Sequence, residues 1–412
     1  MKKISIITLF FLFITQTYAQ ILSDTVFSPK VRAVKLFLND DQLSYPVLTL
    51  NSGNKLTLRF DILGDEREDL QYSVVHCDWN WEESGLSDDE YIEGYYFNDI
   101  YDYENSFNTM QPYVNYEVVL PNDDMKFILS GNYVVKVFLS DNPDSVLLQK
   151  RFVVVENMAI ISANVHQASD AAYRMTHQEV DFNVSISGLN LQNPAQYVKA
   201  AVYQNFRFDN AKYFDEAKYY QGDRLIYDFE DINLFEGGNE FRIFDVSDFK
   251  YLVQKVYKYV FVDSFYHCYL ISDNRHYAHS SVYDQNGMFA IGAKRGLNPW
   301  YNADYVYVYF TLLSRSPISG GDVYVFGQLT DWKIDPRFKM EYVDSLKAYR
   351  SKVFLKQGMY NYSYIFVPDK GKPTFNGTEG NFYQTRNDYL IFVYYREQSP
   401  YYDRVIGYYL KH

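Results

Sequence analysis

Leu56, Leu58, Phe60 and Ile62 alternate with Thr57, Arg59 and Asp61. A period of two sends one set to a buried face and the other toward solvent, so the stretch predicts a half-buried strand. The pattern returns at 72–77, 133–139 and 151–155. Clusters of turn residues punctuate these runs: Asn39-Asp40-Asp41, Asn51-Ser52-Gly53-Asn54 and Asp141-Asn142-Pro143-Asp144. Residues 116–120 predict a further short strand, stopped by Pro121-Asn122-Asp123-Asp124.

Further on, Phe182, Val184 and Ile186 alternate with polar residues. Strands follow at 198–202, 241–244 and 257–262, with one short helical turn expected over 249–257. The last third reads as strands at 305–312, 323–326, 349–355, 360–367, 389–395 and 404–410. Short strands separated by turns over this length predict an all-β chain of three Ig-like β-sandwich domains in series. Their expected boundaries are 23–156, 157–300 and 301–412.

The first residues change the picture of where the chain works. Lys2 and Lys3 precede an apolar run from Ile4 to Ile14, and Thr17-Tyr18-Ala19 supplies small residues at a cleavage position. Residues 1–19 therefore predict a secretory signal peptide. The run is short for a bilayer span, which takes about 20 residues. A transmembrane β-barrel would need evenly spaced strands and two aromatic girdles. Here the 43 Tyr are spread throughout and the loops differ in length.

A formal net charge of −13 argues against nucleic acid and anionic lipid as partners. No Lys or Arg occurs between Glu68 and Asp124, a stretch that holds Asp88, Asp89, Glu90, Glu93, Asp99, Asp102 and Glu104. That density reads as a solvated acidic face, with a docking face for a basic partner as the sharper alternative. A calcium loop of the D-x-D-x-D-G kind is missing. Cys77 and Cys268 fall in different expected domains, each inside an apolar strand pattern. They are expected to be buried free thiols, with a bridge as the alternative.

Chemistry is sparse. His276-x-x-His279 is the one closely spaced His pair, and it has no third ligand at a familiar spacing, so it reads as a solvated loop pair. There is no G-x-S-x-G elbow, phosphate-cradling loop or H-E-x-x-H, so no catalytic residue, metal or cofactor is expected and the chain reads as a non-enzyme. Trp79 and Trp81 flank Asn80, and Trp332 closes the turn Gly327-Gln328-Leu329-Thr330-Asp331-Trp332. As exposed platforms these three would stack on sugar rings, giving a periplasmic or surface glycan-binding protein. As core residues they would need partners for their indole N–H groups.

Three resemblances follow. The turn ending at Trp332, with the paired strands after it, is similar to early-set β-sandwiches. The second lies in the stretch from Glu93 to Asp124, through Gly94 and Phe97, Asp102-Tyr103, Ser106, Asn108-Thr109 and the run from Tyr113 to Leu120-Pro121-Asn122. With Cys77-Asp78-x-x-Trp81, it resembles the plug protein family of the Bacteroidota type IX secretion system. The tripeptides Asp24-Thr25-Val26, Asp144-Ser145-Val146 and Asp344-Ser345-Leu346 resemble the O-glycan acceptor pattern of exported Bacteroidota proteins. The plug resemblance implies a monomer in the periplasm, at the inner face of the outer membrane. There it would bind the opening of a translocon β-barrel of the Sov/SprA type and seal its pore, peripheral to the membrane through that barrel. Phe97, Tyr101, Tyr103, Phe107 and Tyr113 are the expected partner-binding residues, with packing onto the first sandwich as the alternative for all five.

Overall fold

The computed structural model describes residues 21–399 and 401–412. The expected signal peptide at 1–19 lies outside them. Among the described residues, no helix is long and apolar enough to cross a membrane.

The alternating stretch forms the strand Leu56–Leu63, with Leu56, Leu58 and Phe60 fully buried. It pairs with Val31–Leu38 on one side and Tyr113–Leu120 on the other, and Tyr103–Asn105 completes a four-stranded sheet. A six-stranded sheet faces it, built around Asn142–Val155, Gly131–Leu139 and Leu70–Cys77. Phe60 and Tyr116 from one sheet meet Val74, Tyr133, Val135 and Phe152 from the other. The turn expected at 141–144 is tighter than its sequence suggests, because Asn142 already pairs with Leu139.

The six-stranded sheet is buried on both faces. Val75, Cys77, Val134, Val153 and Val155 point away from the first core and are packed as well. They meet Ala201, Tyr203, Leu390, Phe392 and Tyr394. Those residues belong to a second four-stranded sheet of Lys212–Phe214, Val198–Gln204, Tyr389–Arg396 and Asp403–Lys411. Its opposite face carries Val198, Ala200, Val202, Ile391 and Val393 onto a five-stranded sheet bearing Val180, Phe182 and Val184. Four sheets are thus stacked around three cores. Apolar residues at both parities, as in Tyr133-Val134-Val135, are what a sheet without a wet face requires.

The expected boundary near residue 300 is not where the sheets divide. A ten-stranded sheet runs from Arg242–Asp245 to Gly358–Pro368. In the chain it lies between Leu234–Glu236 and Tyr389–Arg396, which both belong to the second sandwich. The last sheet unit is therefore an insertion, and the chain returns to finish the sandwich it left. Period-2 alternation marks a strand but carries no information about which strand it pairs with. No helical turn forms over 249–257 either. Gln254 and Lys255 take positive φ there, which a right-handed turn does not tolerate.

Buried charge locks the insertion to the first sandwich. Asp61 and Lys356 form an ion pair at 2.7 Å with both side chains wholly out of solvent. Tyr305 donates its hydroxyl to Asp61 at 2.7 Å, as does the Asn115 amide. Lys356 also donates to the Trp300 carbonyl and sits 4.0 Å from the centre of the Tyr113 ring. A second network lies inside the insertion. Arg242 Nε and Nη2 each donate to one Glu379 oxygen at 2.8 Å, and Nη1 donates to Asp273. Burial alone would raise the Glu379 carboxyl, but the Arg242 charge and the His276 and Arg242 hydrogen bonds outweigh it and hold it at about 2.

Lys356→Met is expected to lower stability by about 3–5 kcal/mol, because it leaves a buried carboxylate unpaired. Adding Asp61→Asn in the same chain is expected to recover a large part of that loss, read by urea unfolding. Glu379 binds its proton less readily folded than unfolded, so its contribution is complete above about pH 4.5 and is lost as the pH falls toward about 2. Glu379→Gln is therefore expected to flatten the acid limb of stability against pH over that window, measured by melting temperature.

Candidate docking surface

The stretch from Glu93 to Asp124 is tied to the fold along its whole length. Ile92–Gly94 pairs antiparallel with Met125–Phe127. Gly94 has φ of +119°, and a Cβ there would drive into the Asp124 carbonyl. Only glycine satisfies both conditions. Asn98–Asp99 then pairs with the edge of Leu70–Cys77, and buried Ile100 joins the first core. Tyr103–Asn105 pairs with Tyr113–Leu120.

Between these two strands the chain makes a braced tip. Ser106 Oγ accepts from the Tyr113 N–H at 3.0 Å and from Thr109 at 2.9 Å. Asn108 takes the left-handed conformation, a role Asn fills readily. The tip is then pinned to the segment that leads into the strand Tyr305–Leu313 of the ten-stranded sheet. The Phe107 N–H donates to the Tyr301 carbonyl at 2.8 Å, and the Met110 and Gln111 N–H groups donate to the two Asp304 oxygens. Burial raises the Asp304 carboxyl above the usual range, although backbone donors from Met110, Gln111 and Tyr305 oppose the shift.

This bracing leaves large apolar side chains in solvent. Tyr95 is 69% exposed, Phe97 49%, Tyr101 72% and Phe107 63%, and Met110 joins them. Phe97 leans on Tyr96 and Phe138 at ring separations of 4.7 and 5.5 Å. Tyr101 donates its hydroxyl to Asp99 at 2.9 Å, and that bond raises the phenol above its usual range. Tyr103 is half-buried, with the Arg67 guanidinium over its ring at 4.4 Å. Asp88, Asp89, Glu90, Glu93, Asp99, Asp102 and Glu104 are all exposed. The surface is thus aromatic, acidic and held rigid.

Tyr113 does not belong to it. Its ring is fully buried against Tyr305, and its hydroxyl donates to the Ala303 carbonyl at 2.7 Å. It heads a strand whose first four residues are all buried, so it has no path to a partner. Tyr95 and Met110 are exposed partners of the predicted set that the sequence motif did not single out. The anchors Tyr301 and Asp304 were equally invisible, since they lie about 190 residues from the loop they hold.

The tryptophans fail as sugar platforms because none presents a face. Trp81 is buried and donates its indole N–H to Tyr203 at 3.0 Å. Trp79 packs edge-on against Tyr213 and Tyr394. Trp332 lies against Phe241 and Phe326. The His pair is not a solvated loop pair either. His276 Nδ1 lies 3.1 Å from buried Glu379, and His279 Nε2 lies 3.4 Å from buried Glu240. Cys77 and Cys268 are buried free thiols, and burial pushes the Cys268 thiol up to about 12.

Residues 31–156 match the family described as type 9 secretion system plug protein, first domain. A solved structure of a hypothetical protein from Parabacteroides merdae ATCC 43184 superposes with a TM-score of 0.89 at 34% identity, over 94% of this chain and 98% of that one. The serine-rich repeat adhesion glycoprotein Srr1 of Streptococcus agalactiae aligns over 93% of this chain and 97% of its own. At 8% identity and a TM-score of 0.12 it carries no argument. No curated protein matches the chain.

Gly94→Ala is expected to cost about 2–3 kcal/mol through backbone strain and the clash with the Asp124 carbonyl. Faster limited proteolysis between residues 93 and 112 should accompany the loss of melting temperature.

Proposed function

We propose that this chain, which belongs to the type 9 secretion system plug protein family, is a non-enzymatic plug. Family membership gives it a role in type IX secretion. In the proposed reading it sits in the periplasm against the inner face of the outer membrane. There it binds the periplasmic opening of a Sov/SprA-type translocon barrel and closes the pore as a single copy.

The observation that carries this reading is the rigid loop bearing exposed Phe97, Tyr101 and Phe107. Large aromatic side chains supply contact area with few rotatable bonds, and they concentrate at interface hot spots. A loop already fixed by hydrogen bonds loses little freedom on docking. The acidic residues beside it favour a partner face that is basic at its rim. Behind the loop, four stacked sheets and a locked insertion make a body suited to blocking a wide opening by bulk.

The test is co-purification of the outer-membrane barrel from the gently solubilised native host. Wild-type chain is expected to recover a very large β-barrel in near-equal amount. Replacing Phe97, Tyr101 and Phe107 together by Ala is expected to reduce recovery by about tenfold or more while the melting temperature stays close to wild type. Tyr113→Phe loses one buried hydrogen bond, worth about 1 kcal/mol, and should leave recovery unchanged. Undiminished recovery by the triple variant would remove the loop from the interface. Absence of any large barrel with wild-type chain would overturn the plug reading itself.

A further inference from the structure

On the outer sheet of the stack, far along the chain from the docking loop, His166, Glu179 and Asp181 converge. His166 lies on the edge strand Ile160–Gln167, and the two carboxylates lie on its neighbour His177–Ser185. The register sets His166 directly opposite Glu179 and Asn164 opposite Asp181. Alternation then puts all three side chains on the sheet face opposite Val180 and Phe182, which fill the core. One nitrogen and one oxygen from each carboxylate lie within 4.8 Å of one another.

Two features of this cluster call for a cation. The first is the imidazole. His166 Nδ1 lies 2.8 Å from the Gln167 carbonyl, which can only accept, so Nδ1 carries the hydrogen. In the neutral ring Nε2 is then a lone pair, yet it faces Asp181 Oδ2 at 2.9 Å. Two acceptors at that separation need something between them, either a proton or a metal ion. The second feature is Glu179. Its side chain is only 1% exposed, and no Lys or Arg pairs with it among the described residues. It accepts only from the Ser169 N–H and hydroxyl, at 2.6 and 3.2 Å. Arg174 Nη2 donates to the Ser169 carbonyl at 3.2 Å rather than to Glu179. A buried carboxylate without a cation is costly.

We propose that His166, Glu179 and Asp181 bind a divalent transition-metal ion of the zinc class. One imidazole and two carboxylates suit zinc, whose bonds to such ligands are about 2.0–2.2 Å. Tetrahedral ligands at that radius stand about 3.4 Å apart, so the His166–Asp181 gap opens by a few tenths of an ångström to admit it. The supporting contacts resemble those that orient metal ligands elsewhere. Gln167 fixes the His166 tautomer, Asn233 donates to Asp181 Oδ1 at 2.7 Å, and Ser169 holds Glu179. A fourth position remains for water or for a side chain of a partner. Bound metal would cross-link the edge strand to its neighbour and close the loop from Ala168 to Thr176 over the site.

The test uses the untagged full-length mature chain, stripped with chelator and titrated with zinc alone by calorimetry near neutral pH. One zinc per chain and a raised melting temperature are expected. His166→Ala and Asp181→Asn are each expected to weaken zinc binding by about tenfold or more while the metal-free melting temperature stays close to wild type. His412→Ala, at an exposed terminal imidazole, should leave binding unchanged. Cobalt substitution should give the visible absorption of a four-coordinate site in wild type and not in His166→Ala. No stoichiometric zinc uptake would overturn the proposal and leave His166 and Asp181 as a protonated ion pair. Equal uptake by wild type and His166→Ala would overturn it too.

Discussion

Two sheets with no wet face govern this fold. Val134, Val153 and Val155 on one, and Leu390, Phe392 and Tyr394 on the other, are at or near zero exposure and face each other. Each such side chain contributes about 1.5–3 kcal/mol by leaving water. Their neighbours of opposite parity fill the cores on the far sides. Neither sheet can shift without opening two cores at once. That coupling makes one body of segments that the chain visits at widely separated times, and it fixes where every loop can emerge.

Within that body, buried polar contacts choose orientation rather than supply the bulk of stability. Apolar burial is non-directional, whereas Asp61 and Lys356 meet in a defined hydrogen-bonded geometry. The same pair holds Tyr305 and Asn115 in place, and the Lys356 ammonium caps the Tyr113 ring. Its location is telling. Tyr113 and Ala303 lie at the foot of the aromatic loop, beside the Asp304 that pins the loop tip. The joint between insertion and first sandwich is therefore also the base on which the aromatic surface stands.

Much of this was legible in residue order. The strands from Leu56, Tyr133, Tyr305, Tyr349 and Tyr389 stand out as alternating or continuous apolar runs, and the observed elements match them within a few residues. What alternation cannot convey is partnership. Val198–Gln204 pairs with Tyr389–Arg396 across almost the whole second half of the chain, which hides the insertion from any local reading. The runs Tyr133-Val134-Val135 and Leu390-Ile391-Phe392-Val393 did carry a signal, because a half-exposed sheet has no use for apolar residues at both parities. The site was half legible for the same reason. Aromatic density located the loop, but Phe107 and Tyr113 look alike in sequence. Only the strand that begins at Tyr113, and Ala303 beneath it, separates the exposed ring from the buried one.

Exposure alone would make Phe97, Tyr101 and Phe107 a liability, since an apolar patch on a protein surface invites unspecific association. Three features of the surface limit that association. The rings are dispersed over three short segments, each hydrogen-bonded to a different part of the fold, so they cannot collapse onto one another. Seven exposed carboxylates run through the same region against two neighbouring cations, Arg67 and Lys126, and the net negative charge repels other copies of the same face. The two strands of the loop, Asn98–Asp99 and Tyr103–Asn105, are edge strands, but at two and three residues they are too short to template a passing strand. A face that rejects its own kind and holds its rings apart favours a counterpart with pockets at those spacings and positive charge between them, which is the complementarity the proposed plug role would require of a rim.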